Sequence, residues 1–317
     1  MNAPRVTIVG SGYMGLGIGH VLALGGSPVR LVDTDAAVAE AALKSFLDSA
    51  AEFEEKGFFP AGSAAKIREI SGWSASLAEG VADADLVMEA IPEIPDLKID
   101  VFRQVEAAVR PDTVIATNTS AIPIQDLAVA FEKPERFLGI HWFNPAQFLP
   151  GVEVIPCEQT KPEIVQWAVE YLRGCGKEPA VVPDTPGFVC NRLQFALYKE
   201  AVRMVEEGKV SPQEIDTVVK ASFGFRLALY GPFEVGDMAG LDVYANSYKS
   251  LERALGERYQ VPQSLKERVE RGDYGIKTGG GYLGLSKPEA ETLVAARDRA
   301  YVELNALRTK LRETAGD

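Results

Sequence analysis

The opening strand–helix–strand unit constrains this chain more than any other stretch. A β-branched run at residues 5–9 leads straight into Gly10-Ser-Gly-Tyr-Met-Gly. An apolar helical pattern follows (Met14, Ile18, Val21, Leu22), and a second strand pattern at residues 28–32 ends on Asp33. Strand, Gly-x-Gly-x-x-Gly, helix, strand and acid in that order predict a dinucleotide cradle. Gly10 permits the tight turn, Gly12 lets backbone approach a pyrophosphate, and Gly15 lets helix and strand pack closely. The helix N-terminus, including the amides of Tyr13 and Met14, offers donors and a positive dipole end to phosphates. Asp33 would accept from an adenosine ribose and repel a 2′-phosphate, so NAD is expected rather than NADP. The competing reading, a plain βα turn with Asp33 capping the next helix, is weaker against the whole unit.

Strand and helix patterns then alternate. Residues 36–66 are helical in composition, with Gly57 and Pro60 as closing signals. Strands are expected at 85–91, 113–117, 152–155 and 180–182, and a helix at 98–109. This predicts an α/β chain with an N-terminal, doubly wound, mostly parallel Rossmann sheet whose ligands lie at the carboxyl ends of the strands. Glu93, Asn118, Ser120 and His141 fall at or just past such ends. Pro183-Asp-Thr-Pro-Gly is the strongest linker signal. Beyond it the patterns at 191–207, 212–222, 241–255, 264–271 and 288–312 are helical, with no strand pattern. The expected division is a nucleotide-binding domain at 1–183 and an all-helical domain at 184–317.

Residues 137–156 carry no ionised side chain before Glu153. His141 sits in the first half, one of two histidines in the chain, and an Asn144-Pro145 break separates it from Glu153. Two apolar strands folded back at that break would pair imidazole with carboxylate, an arrangement suited to proton transfer near neutral pH. Singly, His141 also reads as a satisfied core residue and Glu153 as a solvent-facing strand residue. His20, inside the first helix, reads as packing.

A net charge of −12 without a basic cluster argues against nucleic acid. Three cysteines without paired spacing read as reduced thiols, and two histidines make a metal site unexpected. No signal peptide and no membrane helix is seen, so a cytoplasmic protein is expected.

Taken in order, the glycine motif, Asp33, Glu89-Ala-Ile-Pro-Glu, Asn118-Thr-Ser, His141-Trp-Phe-Asn-Pro, Glu153-Val and Pro186-Gly-Phe-Val-Cys-Asn-Arg resemble the L-3-hydroxyacyl-CoA dehydrogenase family. Gly231-Pro-Phe-Glu, Gly240-Leu-Asp and Lys277-Thr-Gly-Gly-Gly-Tyr are similar to its helical domain, so the resemblance covers nearly the whole chain. It implies NAD-dependent oxidation of a short L-3-hydroxyacyl-CoA. His141 would be the base and Glu153 its orienting partner, with Ser120 and Asn191 holding the substrate oxygen. Glu93 and Lys98 would line the nicotinamide-ribose side, with Asn118 nearby. Asn144 would turn the backbone or brace the glutamate. A homodimer through the helical domain is expected.

Two departures keep a second substrate open. The arm after the second strand is acidic (Asp48, Glu52, Glu54, Glu55), where the family usually offers cations to the CoA nucleotide. Arg226 stands before Gly231-Pro, similar to L-gulonate 3-dehydrogenase (lambda-crystallin) and L-carnitine dehydrogenase, members that act on free hydroxy acids. There Arg226 would clamp a carboxylate. A non-catalytic NAD-binding structural or sensor protein is the third reading.

Overall fold

Short apolar runs alternating with amphipathic helices produce the layered arrangement of the first unit. The computed structural model describes residues 3–315 and divides them between two units, 3–198 and 199–315. The first unit begins with β1 (Val6–Val9), α1 (Tyr13–Leu24), β2 (Val29–Val32), α2 (Ala36–Glu55), α3 (Ser63–Ile70), β3 (Ser71–Ser74) and α4 (Leu77–Val81). It continues with β4 (Leu86–Glu89), α5 (Pro95–Ala108), β5 (Val114–Thr117), α6 (Ile124–Ala128), β6 (Phe137–Trp142), β7 (Gly151–Pro156), α7 (Pro162–Gly174) and β8 (Glu178–Val181). The eight strands form one sheet in the order β3-β2-β1-β4-β5-β6-β7-β8. All neighbours are parallel except β6 and β7.

Apolar side chains fill both faces of the sheet. Ile8, Leu31, Met88 and Ile140 pack with Ile18, Leu22 and Phe46 on one side. Val87, Ile115 and Phe137 pack with Phe102 and Leu127 on the other. Fully burying one such side chain is worth about 1.5–3 kcal/mol. The strand order reverses between β1 and β4, which opens a crevice at their carboxyl ends. Gly10, at φ +98°, lies on its rim. A Cβ there would sit 2.7 Å from the Ala90 carbonyl, so only glycine permits the approach.

The helix expected over 36–66 is two helices. α2 stops at Glu55, and the Glu54 carboxylate accepts from the amides of Gly62 and Ala64 at the start of α3, both at 2.7 Å. The edge strand β3 was not expected. Ser-Gly-Trp-Ser carries no β-branched run, and pairing with β2 makes it a strand.

α8 (Cys190–Glu206) starts just past the expected linker and carries the chain from the first unit into the second. The second unit continues with α9 (Pro212–Ala221), α10 (Phe223–Leu227), α11 (Pro232–Ala239), α12 (Leu241–Leu255), α13 (Gln263–Glu270) and α14 (Lys287–Ala315). Its small core joins Leu241, Ala245 and Leu265. Asp237, buried in α11, accepts from the amides of Tyr282 and Leu283 at 3.0 Å each and ties that loop down. Among the described residues no helix is long and apolar enough to cross a membrane.

Candidate active site

The crevice beside β1 encloses a cavity of about 740 Å³ lined by Gly10, Gly12, Tyr13, Met14 and Asp33. α1 has no side-chain cap at Gly12, and a Cβ on Gly12 would meet nothing within 4 Å, so its first amides face open space. That is an anion site of pyrophosphate type. Asp33 accepts from the Ser11 amide (2.8 Å) and hydroxyl, and from the Thr34 amide (2.8 Å). Burial resists ionisation of Asp33, but these donors outweigh it and hold the carboxyl below its ordinary range. An ionised acid one strand away from the amides fits NAD. Ala75, Leu77, Leu97 and Val101 add an apolar wall suited to a flat base. They come from the turn after β3, from α4 and from α5, so no single local motif announced them.

The antiparallel register of β6 and β7 sets His141 opposite Glu153. Nδ1 of His141 lies 2.8 Å from Glu153 Oε2, and Nε2 lies 3.1 Å from the Ser120 hydroxyl. With Nδ1–H donated to the carboxylate, Nε2 is the nitrogen free to take a proton on the Ser120 side. Both side chains are buried, and the rings of Phe143 and Phe188 flank the imidazole at 5.0 and 5.6 Å.

The other oxygen of Glu153 accepts from the amides of Val189 (3.0 Å) and Cys190 (2.9 Å) at the start of α8. Phe188 aims these amides from the left-handed region, at φ 49°. Burial pushes the Glu153 carboxyl up, but His141 and the two amides prevail, and its pKa lies below the ordinary value. The expected brace of Glu153 by Asn144 is therefore corrected. Asn144 is exposed before the cis Pro145, and no hydrogen bond joins it to Glu153 among the described residues. The amides 36 and 37 positions downstream fill that role.

Asn191 Nδ2 donates to the Ser120 carbonyl at 3.1 Å, and Asn118 Oδ1 accepts from the Trp142 amide at 2.9 Å. Both asparagines thus hold backbone around the histidine. Lys98, expected on the cofactor side, is 1% exposed. Its ammonium meets Glu89 (2.6 Å), the Ile91 carbonyl (3.2 Å) and Glu93 (3.2 Å). Sequence reasoning gave Glu89 no role. An acid inside the apolar run Leu-Val-Met-Glu-Ala-Ile was the available signal. Arg226 lies half-buried in α10 of the second unit, and no acceptor meets its guanidinium among the described residues.

Residues 5–185 match the family model described as "3-hydroxyacyl-CoA dehydrogenase, NAD binding domain", and residues 187–284 match "3-hydroxyacyl-CoA dehydrogenase, C-terminal domain". The 5-formyl-3-hydroxy-2-methylpyridine 4-carboxylate 5-dehydrogenase of Mesorhizobium japonicum is 34% identical over 96% of this chain and 97% of its own. The mitochondrial hydroxyacyl-coenzyme A dehydrogenase of Homo sapiens is 33% identical over 88% of this chain and 90% of its own. The crystal structure of a 3-hydroxyacyl-CoA dehydrogenase from Archaeoglobus fulgidus superimposes with a TM-score of 0.76 at 30% identity, covering 99% of each chain.

Proposed function

The chain belongs to the 3-hydroxyacyl-CoA dehydrogenase family, an NAD-dependent oxidoreductase family acting on CH–OH groups; from that premise we propose that it oxidises a compact hydroxy acid bearing a free carboxylate. NAD, when bound in the β1–α1 cradle, supplies the hydride acceptor. His141 Nε2 takes the hydroxyl proton, and Glu153 offsets the charge that then forms on the ring. Once the substrate hydroxyl replaces it on Nε2, the Ser120 hydroxyl turns its one proton to the substrate oxygen, together with Asn191. The single observation carrying the chemistry is the Glu153–His141–Ser120 line, buried at Glu153 and His141 and open at Ser120, with a hydrogen-bond partner on each ring nitrogen. A non-catalytic NAD-binding protein would have no use for it.

The acidic arm supports the free-acid choice. Lys44 and Lys56 are both held in i,i+4 pairs, with Asp48 and Glu52, and Glu54 occupies the amides that open α3. The Mesorhizobium japonicum relative, aligned over nearly the whole of both chains, is named for a carboxylated pyridine. A short 3-hydroxyacyl-CoA is the second reading, favoured by the human relative. NADH formation from NAD decides between them, comparing 3-hydroxybutyryl-CoA with free 3-hydroxybutyrate, L-gulonate and L-carnitine. Turnover of a free acid that falls about 10–100-fold in Arg226→Ala supports the carboxylate clamp, since a charge-assisted pair is worth about 1.5–3 kcal/mol. Turnover of the thioester alone, insensitive to Arg226, overturns it. We also propose a homodimer. α8 leaves Leu193 (57%), Phe195 (61%) and Tyr198 (66%) exposed. Sedimentation at the monomer mass would refute it.

A further inference from the structure

Glu93 gathers three hydrogen bonds from one short loop. One of its oxygens accepts from the Thr119 hydroxyl, the Ser120 amide (2.8 Å) and the Ala121 amide (3.0 Å). Its other oxygen faces the Lys98 ammonium at 3.2 Å. The loop so held is the one that presents the Ser120 hydroxyl to His141 Nε2. Lys98 donates to Glu89 and to the Ile91 carbonyl, forms an ion pair with Glu93, and is all but fully buried. Glu89 is itself fixed from two further sides, by the Thr117 hydroxyl and by the Ile91 amide at 2.7 Å. The chain of contacts runs from the end of β4, through α5, to the loop after β5, and ends on the imidazole.

We propose that Glu93 is a positioning residue that clamps residues 119–121 and so sets the Ser120 hydroxyl against His141, with Lys98 as the buried counter-charge that aims Glu93. The proposal rests on the reading of His141 as the base. Burial pushes the Glu93 carboxyl up, but the Thr119 hydroxyl, Lys98 and the two amides bring it below its ordinary value, consistent with an ionised clamp. The loop is otherwise tied by the Asn191 bond to the Ser120 carbonyl and by local bonds of Thr117 and Thr119.

The test uses Glu93→Ala, Glu93→Gln, Ser120→Ala and the Glu93→Ala/Ser120→Ala double variant of the full chain. Three quantities are measured: kcat, NAD dissociation constant, and the ¹⁵N signals of the histidine rings. The chain has only two histidines, so His141→Asn assigns the spectrum. Loss of the clamp should lower kcat about 10²-fold through misplacement of Ser120. It should also move the His141 Nε2 signal to where Ser120→Ala puts it. The double variant should be no worse than Ser120→Ala within about twofold, because both changes remove one interaction. Glu93→Gln keeps an acceptor for the two amides and should recover most of the loss, which also answers a folding defect in the alanine variant. NAD binding weakened more than about tenfold with kcat intact, multiplicative effects in the double variant, or an unmoved His141 signal in Glu93→Ala would each overturn the clamp. If the parent protein turns over no alcohol at all, the base reading fails, while the NAD and ¹⁵N measurements still decide the clamp.

Discussion

His141 has its roles divided between its two nitrogens by what each touches. Nδ1 faces a carboxylate held ionised by two amides, and Nε2 faces a hydroxyl. Replacing His141 with alanine removes the proton acceptor and leaves the β1–α1 cradle intact, since none of the residues lining that cavity touches the ring. Turnover should fall about 10²–10⁴-fold while NAD affinity, read by fluorescence titration, stays within about threefold. Undiminished turnover would end the base assignment. The pairing of His141 and Glu153 was legible because both sit in apolar runs with a break between them. The amides of Val189 and Cys190 were not legible. They approach from 36 and 37 positions away, and only the turn at Phe188 aims them.

Elements were legible where their pattern was strong and long, and lost where pairing or a cap did the work. β1, β2, β4, β5 and β7 announced themselves as short apolar runs, and α1, α5 and α8 as helical patterns. β3 is a strand because β2 lies beside it, and α3 is separate because Glu54 caps it. Ion pairs that fasten element ends carried no local signal at all. Asp85, just before β4, accepts from the Arg5 amide (2.8 Å), the Arg5 guanidinium (3.2 Å) and Arg110 (2.6 Å), tying β1, β4 and the turn before β5. Burial opposes its charge, but these partners hold its pKa to about 2 against an ordinary 3.8. A depressed carboxyl contributes stability that is full above the unfolded pKa and vanishes as pH falls through the folded one. Asp85→Asn should therefore cost roughly 1–2 kcal/mol at pH 7, discounted for an acid about one-third exposed. Denaturant unfolding at intervals of pH should show that gap closing between about pH 4 and pH 2. A gap that persists unchanged at pH 2 would mean the charge is not its source.

At the scale of the whole molecule the question is where the chain divides. The expected linker lay at 183–187, whereas the contact boundary falls at 198/199, inside α8. Punctuation by proline and glycine marks where a chain turns, but α8 begins by donating two amides to Glu153, so its first turn is packed with the unit it leaves. Each unit has its own apolar core, and all three tryptophans (Trp73, Trp142 and Trp167) belong to the first. The NAD cradle is also built wholly from the first unit. Binding energy is therefore linked to the folding of that unit, about 2.7 kcal/mol at a hundredfold excess over the dissociation constant. For a unit of this size that raises the tryptophan-detected melting temperature by roughly 5–10 °C. Asp33→Ala, which loses the ribose contact and the repulsion of a 2′-phosphate, should shrink the shift with NAD and narrow its advantage over NADP. Circular dichroism sees the helices of both units. If the second unit is thermodynamically separate, a helical component of its melt should stay in place while the tryptophan transition moves with NAD. If both probes shift together by the same amount, the boundary at 198/199 divides contacts but not stability, and α8 couples the two units as one cooperative body.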